Sequence, residues 1–259
     1  MINIAIEYPC LFLKRTATGT VPTSWDELTE KQLVEISRNV NGREIDFHFL
    51  SVLTSISVRF LKKLSPFQLL KLSREINFIG NVVDYHNIFI IRRLKGTKLY
   101  APKPKLAGMT FGQFIFADSY YNDWLAARDE TALNNLVATL YLRPGEKFDN
   151  ETIPIRVSTI VNVDIDVLKS IAINYGLILM WIQSAYPLVF ASEANVIAIS
   201  QPTEKQPVRP SAASLSPWLK LFDSLVDDDL INRDRYAKLP IHTVLTYLTT
   251  KYKDNARSG

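Results

Sequence analysis

Apolar residues recur with a helical period over most of the chain, and only short stretches alternate as β-strands do. Residues 2–8 (INIAIEY) alternate and are rich in β-branched side chains, which predicts a short strand. Apolar runs on both sides of Gly96 predict a small hairpin within residues 88–100. The predicted fold class is therefore mainly α, a helical bundle with a small β element.

Start and stop signals place the helices. Thr29 with Gln32 has the pattern of a capping box, and Ser65 precedes Pro66 as the first residue of another helix. Residues 44–63 predict one continuous helix. Three further helices begin at Thr110, at Asp129 or Thr131, and at Asp164, while residues 146–163 with Pro154 predict a loop.

The last of these helices continues into a long uncharged stretch, residues 170–192. Its length would allow it to cross a membrane. Polar residues such as Asn174 and Gln183 would need hydrogen-bond partners in lipid, and Pro187 interrupts the final turns. A buried central helix is the favoured interpretation, and no membrane partner is predicted.

The composition changes after residue 191. Residues 192–217 are rich in proline and serine, which is typical of an extended linker. Helical periodicity then returns. The predicted domains are a helical main domain (1–191), the linker (192–217) and a C-terminal helical module (218–259), and the main domain is expected to fold without residues 193–259.

Composition and charge argue against most kinds of chemistry. The 259 residues are 47% hydrophobic and 22% charged, with one cysteine, three histidines and nine glycines. A single cysteine excludes a disulfide framework, and His48, His86 and His242 lack metal-ligand spacing. No phosphate-binding glycine motif is present. No enzyme activity, catalytic residue, metal or cofactor is predicted.

The positive charge is concentrated in the first part of the chain. Residues 1–107 carry 16 Lys and Arg against 9 Asp and Glu, whereas residues 108–259 carry 14 against 17. The densest cluster lies at residues 92–105, with Tyr100 among the cations, and could bind phosphates or simply protect a ribbon edge. The candidate nucleic-acid-binding residues are Arg92, Arg93, Lys95 and Lys98.

Aromatic residues are concentrated on the helix that begins at Thr110. Their spacing is typical of a core or of a helix–helix interface, and their presence on both sides of the helix suggests that some face a partner. The residues are Phe111, Phe114, Phe116, Tyr120, Tyr121 and Trp124.

Three stretches of the sequence resemble proteins encoded among the tail genes of phages and prophages of Bacteroidetes-type bacteria. They are Trp25-Asp26-Glu27-Leu28-Thr29, the block MTFGQFIFADSYYNDWL…LNNLVATLYLRPGEKFD, and the tail WLKLF…RYAKLPIHTVLTYLTTK. The nearest functional analogue is a tail-assembly chaperone. The positions that match the end of that pattern are Tyr236, Leu239, Pro240, Val244, Leu245 and Leu248.

The resemblance implies a non-enzymatic assembly protein whose partners are other tail proteins, the tape-measure protein above all. A chaperone would cover the apolar stripe of that long helix before the tail tube encloses it. Short apolar helices on a tether suit this task. The candidate partner-binding residues are Trp218, Leu221, Phe222, Leu245 and Leu248.

Two alternatives from other classes stay open. One is a structural virion component, such as a tail or connector protein, and the other is a nucleic-acid-binding protein that uses residues 92–105. The N-terminus lacks the features of a secretory signal, so the expected location is the cytoplasm of a bacterial host, or the virion for a structural component. Nucleic acid is the less favoured partner, and a homo-oligomer is left open.

Overall fold

The computed structural model describes residues 1–10, 13–39, 46–79, 87–190, 218, 222, 225–226 and 232–258. Within these residues the chain is mostly helical, with a two-stranded antiparallel sheet, so the predicted fold class is confirmed. The strands are β1 (Ile2–Cys10) and β2 (Leu13–Val21). The helices are α1 (Glu30–Asn39), α2 (Phe47–Thr54), α3 (Val58–Leu61), α4 (Pro66–Glu75), α5 (Phe111–Ala127), α6 (Glu130–Leu140), α7 (Ile153–Ile160), α8 (Ile165–Ala185), α9 (Arg233–Ala237) and α10 (Ile241–Ser258).

The chain divides into two compact units that differ from the domains expected from composition. Unit 1 comprises Met1–Arg92 and Val163–Ile178, and unit 2 comprises Arg93–Asn162 and Leu179–Gly259. The expected main domain of 1–191 is therefore divided between them, and α9 and α10 belong to the same unit as α5. Composition reveals a change in polarity along the chain, but not which separated segments pack together. The expected linker, 192–217, lies outside the described residues.

Unit 1 begins with the hairpin of β1 and β2, in which Ile2 pairs with Val21 and Cys10 with Leu13. The predicted strand at 2–8 is present and longer than expected. Its partner β2 was not predicted, because threonine and glycine dominate the second half of that strand and mask its alternation. Threonine is nevertheless favourable in a strand, since its branched Cβ suits the pleated surface.

The predicted capping box at the start of α1 is present. Thr29 Oγ1 accepts from the Gln32 backbone N–H at 3.3 Å, and Gln32 Oε1 accepts from the Thr29 backbone N–H at 2.9 Å. Gln32 is buried, and its amide nitrogen also donates to the Leu53 carbonyl at 2.9 Å. One glutamine side chain therefore caps α1 and joins it to the end of α2.

The prediction of a single helix over residues 44–63 is wrong. The structure has α2 and α3 instead, separated by Ser55 in the left-handed region at φ 58°. The Thr54 hydroxyl donates to the Leu50 carbonyl at 2.7 Å and accepts from the Ile56 N–H at 3.2 Å. Side-chain hydrogen bonding of this kind competes with the helical pattern and ends the helix.

Gly19 lets β2 approach the end of α2 closely. A Cβ atom built on Gly19 would lie 2.3 Å from the Thr54 carbonyl oxygen and 2.6 Å from Ile56 Cγ1. We expect Gly19→Ala to lower the free energy of unfolding by about 1–3 kcal/mol, because backbone and a buried side chain must shift. Urea denaturation measures the change.

Thr18→Ala is the control for this prediction, because Thr18 is exposed on the same strand. We expect it to change stability by less than about 0.5 kcal/mol. Equal effects of the two substitutions would show that the close approach at Gly19 does not constrain the packing.

The core of unit 1 gathers side chains from β2, the first four helices and α8. Members of the core include Val21, Leu33 and Leu53 from the first part of the chain and Leu177 from α8. At the surface of the unit, Arg38 Nε donates to Asp166 Oδ2 at 2.7 Å. This hydrogen bond and the charges of nearby carboxylates raise the pKa of Arg38.

A buried asparagine explains one polar position of the apolar helix α8. Asn174 is 1% exposed. Its Oδ1 accepts from the Ile90 N–H at 2.8 Å, and its Nδ2 donates to the Ile88 carbonyl at 2.9 Å. The side chain thus satisfies the backbone of an extended segment in the way that a neighbouring strand would.

α8 is long and apolar enough to cross a membrane by length and composition, with a mean hydropathy of 1.5 over its most apolar window. Half of that window is buried inside the protein. Leu177 of this helix belongs to the hydrophobic core of unit 1.

Unit 2 has α5, α6 and α7 in sequence, and Arg156 fixes the last of these. The prediction of a loop over residues 146–163 is wrong for its second half, which forms α7. Pro154 lies in the first turn of α7, where a missing N–H costs nothing. Arg156 is 1% exposed, and its guanidinium lies 5.8 Å from the centre of the Phe148 ring.

Arg156 makes four hydrogen bonds within unit 2. Nε donates to the Ala138 carbonyl at 2.5 Å, and Nη1 donates to Glu146 Oε1 at 2.6 Å. Nη1 also donates to Thr152 Oγ1 at 2.6 Å, and Nη2 to the Asp149 carbonyl at 3.3 Å. One buried cation therefore joins the end of α6, the segment that follows it and the start of α7.

Candidate functional site

The C-terminal residues expected to bind a partner are part of the core of unit 2. Trp218, Phe222, Leu245 and Leu248 are each at most 6% exposed. Leu221 lies outside the described residues. In this conformation the four described side chains offer no surface to another protein, because they pack within their own chain.

Aromatic contacts hold this C-terminal segment against α5. The Trp218 ring lies 5.1 Å from the Phe114 ring and 6.2 Å from the Phe111 ring, both nearly edge-on. It also lies 5.2 Å from Phe190, and Phe222 lies 6.0 Å from Phe111. Removing residues 193–259 would strip these aromatic partners from α5, and this argues against the expectation that residues 1–192 fold alone.

Backbone hydrogen bonds join the start of α5 to the chain between α9 and α10. The Phe111 N–H donates to the Leu239 carbonyl at 2.8 Å, and the Ile241 N–H donates to the Met109 carbonyl at 3.0 Å. Gly112 allows this approach, because a Cβ there would lie 3.2 Å from Ala237 Cβ. Two stretches that carry the resemblance to tail proteins are thus in direct contact.

An apolar cavity of about 300 Å³ lies where these segments meet. Tyr247 is 56% exposed, and Thr243 is also exposed, whereas Phe111 and Val244 are buried. A cavity of this size and lining can take an apolar group. The lining residues of this unit 2 cavity are Phe111, Leu225, Tyr236, Leu239, Thr243, Val244 and Tyr247.

The contacts of the His242 side chain are those of a structural residue. Its Nε2 lies 2.6 Å from the Lys105 carbonyl oxygen, which can only accept, so Nε2 carries a proton. Its Nδ1 lies 2.8 Å from the Tyr186 hydroxyl, and its ring packs edge-on to Trp181 at 6.2 Å. The carbonyl that it holds belongs to a residue in the left-handed region, since Lys105 has a φ of 61°.

The other two histidines add no candidate metal site within the described part of the chain. The His48 side chain is 67% exposed and lies 3.8 Å from Glu35, while His86 lies outside the described residues. Among the described residues, no group of three His, Cys, Asp or Glu side chains could hold a metal ion.

The aromatic residues of α5 divide between core and surface. Phe111, Phe114 and Trp124 are buried, and the guanidinium of Arg128 lies 4.8 Å from the centre of the Trp124 ring. Phe116, Tyr120 and Tyr121 are half-buried.

Burial raises the pKa of the Tyr121 hydroxyl, and the charge of Asp118 adds to the effect. The pKa of Tyr120 is likewise raised by burial. Both tyrosines are therefore neutral at physiological pH.

The cations expected to bind nucleic acid are exposed but fall in two units. Arg92 belongs to unit 1, and Arg93, Lys95 and Lys98 belong to unit 2. The expected hairpin is reduced to isolated bridges, Arg93 with Tyr100 and Tyr100 with Leu142. The apolar residues before it, 88–91, do not form a strand. Their backbone forms hydrogen bonds with the Asn174 side chain of α8 instead.

Fold and site together define a mainly α-helical protein with an apolar cavity in its second unit. No family model, curated protein or solved structure matches the chain.

Proposed function

We propose that this chain is a phage or prophage tail-assembly protein that acts as a chaperone for the tape-measure protein. The observation that carries the proposal is the position of the unit 2 cavity. It is lined by residues from the central and C-terminal stretches that resemble tail proteins. Phe111 comes from the central stretch, while Leu239 and Val244 come from the C-terminal stretch.

The proposed contact is between the cavity and one apolar side chain at a time from the tape-measure helix. Such a helix repeats apolar residues along its length, so many copies of a small binding site can cover it. The buried residues Trp218 and Phe222 have a supporting role in this proposal. They do not line the cavity, but their contacts with Phe111 hold the C-terminal segment against α5.

The test is co-expression of the full-length chain with the tape-measure protein of the same genome. We expect the wild-type chain to keep that protein soluble. Thr243→Arg places a long charged side chain at the cavity, and we expect it to reduce the soluble tape-measure protein severalfold. Thr246→Arg is the matched control, because Thr246 is exposed on the same helix and does not line the cavity.

Two results would contradict the proposal. One is a tape-measure protein that stays insoluble with the wild-type chain, or that responds equally to the two variants. The other is the chain itself in stoichiometric amounts in purified particles, since an assembly chaperone leaves the finished tail. That second result would support the structural virion component instead.

A further inference from the structure

A second surface of unit 2 is strongly basic, and it is independent of the cavity. Residues 93–105, named here the basic loop, carry five exposed cations. No Asp or Glu occurs between Asp84 and Asp118 in the sequence. On the adjoining segment, the carboxylate of Glu146 is bound to Arg156. The cations of the loop are Arg93, Lys95, Lys98, Lys103 and Lys105.

The backbone of the basic loop is held in place. The Leu94 N–H donates to the Leu99 carbonyl at 3.1 Å, and both side chains are fully buried. Tyr100 and Leu142 exchange two backbone hydrogen bonds, of 2.9 and 3.1 Å. Gly96 turns the chain with a φ of 78°. Because the scaffold is ordered before binding, less conformational entropy is lost when an anion is bound.

Aromatic rings lie beside two of these cations. The Arg93 guanidinium lies 5.5 Å from the centre of the Tyr100 ring, and its Nε and Nη2 donate to the Thr97 carbonyl at 3.2 and 3.1 Å. Tyr100 is 40% exposed. Lys105 Nζ lies 5.2 Å from the centre of the Trp181 ring.

Cations next to a solvent-accessible aromatic ring suit one kind of polyanion. A lysine cluster alone would serve an acidic peptide as well as a nucleic acid. The partly exposed Tyr100 ring, with the Arg93 guanidinium over it, adds an aromatic group against which an unpaired base can stack. We therefore infer that the basic loop binds single-stranded nucleic acid, with the cations on phosphates and Tyr100 against a base.

Fluorescence anisotropy with a labelled 20-mer of deoxythymidine tests this inference over a range of salt concentrations. The variant Lys95→Gln/Lys98→Gln/Lys103→Gln should bind at least tenfold more weakly at low salt. Its log–log salt slope should be shallower by about 2, since each phosphate contact contributes about 0.7 for single strands. Tyr100→Leu should weaken binding about tenfold while leaving that slope unchanged.

The control removes three exposed lysines of unit 2 outside the loop: Lys238→Gln/Lys251→Gln/Lys253→Gln. We expect it to keep most of the affinity, and thermal melts check that every variant is folded. The inference is overturned if the wild-type chain does not bind the oligonucleotide, or if both triple variants lose equal affinity. Competition by polyglutamate as strong as that by the unlabelled oligonucleotide would also overturn it and point to an acidic protein partner.

Discussion

Replacing Arg156 by methionine is expected to lower the free energy of unfolding by about 2–4 kcal/mol, because the buried guanidinium loses its hydrogen bonds and its ion pair with the partly exposed Glu146. The substitution leaves the Glu146 carboxylate without its cation and the Ala138 carbonyl without its donor. Urea denaturation monitored by circular dichroism measures the loss. The segment between α6 and α7 should open first, because the hydrogen bonds of Arg156 join this segment to α6 and to α7.

A second substitution separates the charge from the packing. In the double variant Arg156→Met/Glu146→Gln the unpaired carboxylate, whose side chain is 20% exposed, is replaced by a neutral amide, so about 1 kcal/mol of the loss should be recovered. Arg143→Ala is the control, because Arg143 is an exposed arginine nearby whose backbone N–H still donates to Glu146. A control loss as large as that of Arg156→Met would refute the role assigned to the buried guanidinium.

Trp218→Ala is expected to cost about 3–5 kcal/mol, as do other truncations of large buried aromatic residues. Trp218 is 6% exposed and contacts Phe111, Phe114 and Phe190. The measurement is the shift in the urea midpoint of the full-length chain. This result also decides between two conformations of the C-terminal segment, since a free tether would lose no stability on losing its tryptophan.

Tyr252→Ala serves as the comparison for Trp218→Ala. Tyr252 is an aromatic residue of α10 that is 40% exposed, so its truncation should change stability by less than about 0.5 kcal/mol. If both variants unfold at the wild-type midpoint, the C-terminal segment does not contribute to the core of unit 2 in solution.

Local signals predicted much of the secondary structure. Ser65 and Pro66 mark the start of α4, and Thr110 marks the start of α5, as the sequence indicates. These signals work because a cap and its first turn lie within four residues of each other. The sequence left open whether Asp129 or Thr131 caps α6, and the structure shows that it is Asp129. The Asp129 carboxylate accepts hydrogen bonds from two backbone N–H groups, and these bonds lower its pKa.

The errors arise where distant residues determine the local structure. α7 depends on Arg156 reaching Ala138 and Glu146, and the break at Ser55 lies where β2 meets the end of α2. Periodicity identified Trp218 and Phe222 as apolar anchors, but it could not show that α5 is what they contact. The unit 2 cavity was not predicted at all, since Phe111 is separated from its other lining residues by more than a hundred positions in the sequence.

Unit 1 is built from two separated parts of the chain, and this affects when it can fold during synthesis. Leu177 completes its core, and Asn174 satisfies the backbone at Ile88 and Ile90. During translation the ribosome must therefore produce residues 93–162 before these side chains emerge. The usual sequence, in which an N-terminal domain folds before the next one is made, does not apply. The nascent hairpin and its helices must wait with part of their apolar surface uncovered until α8 leaves the exit tunnel.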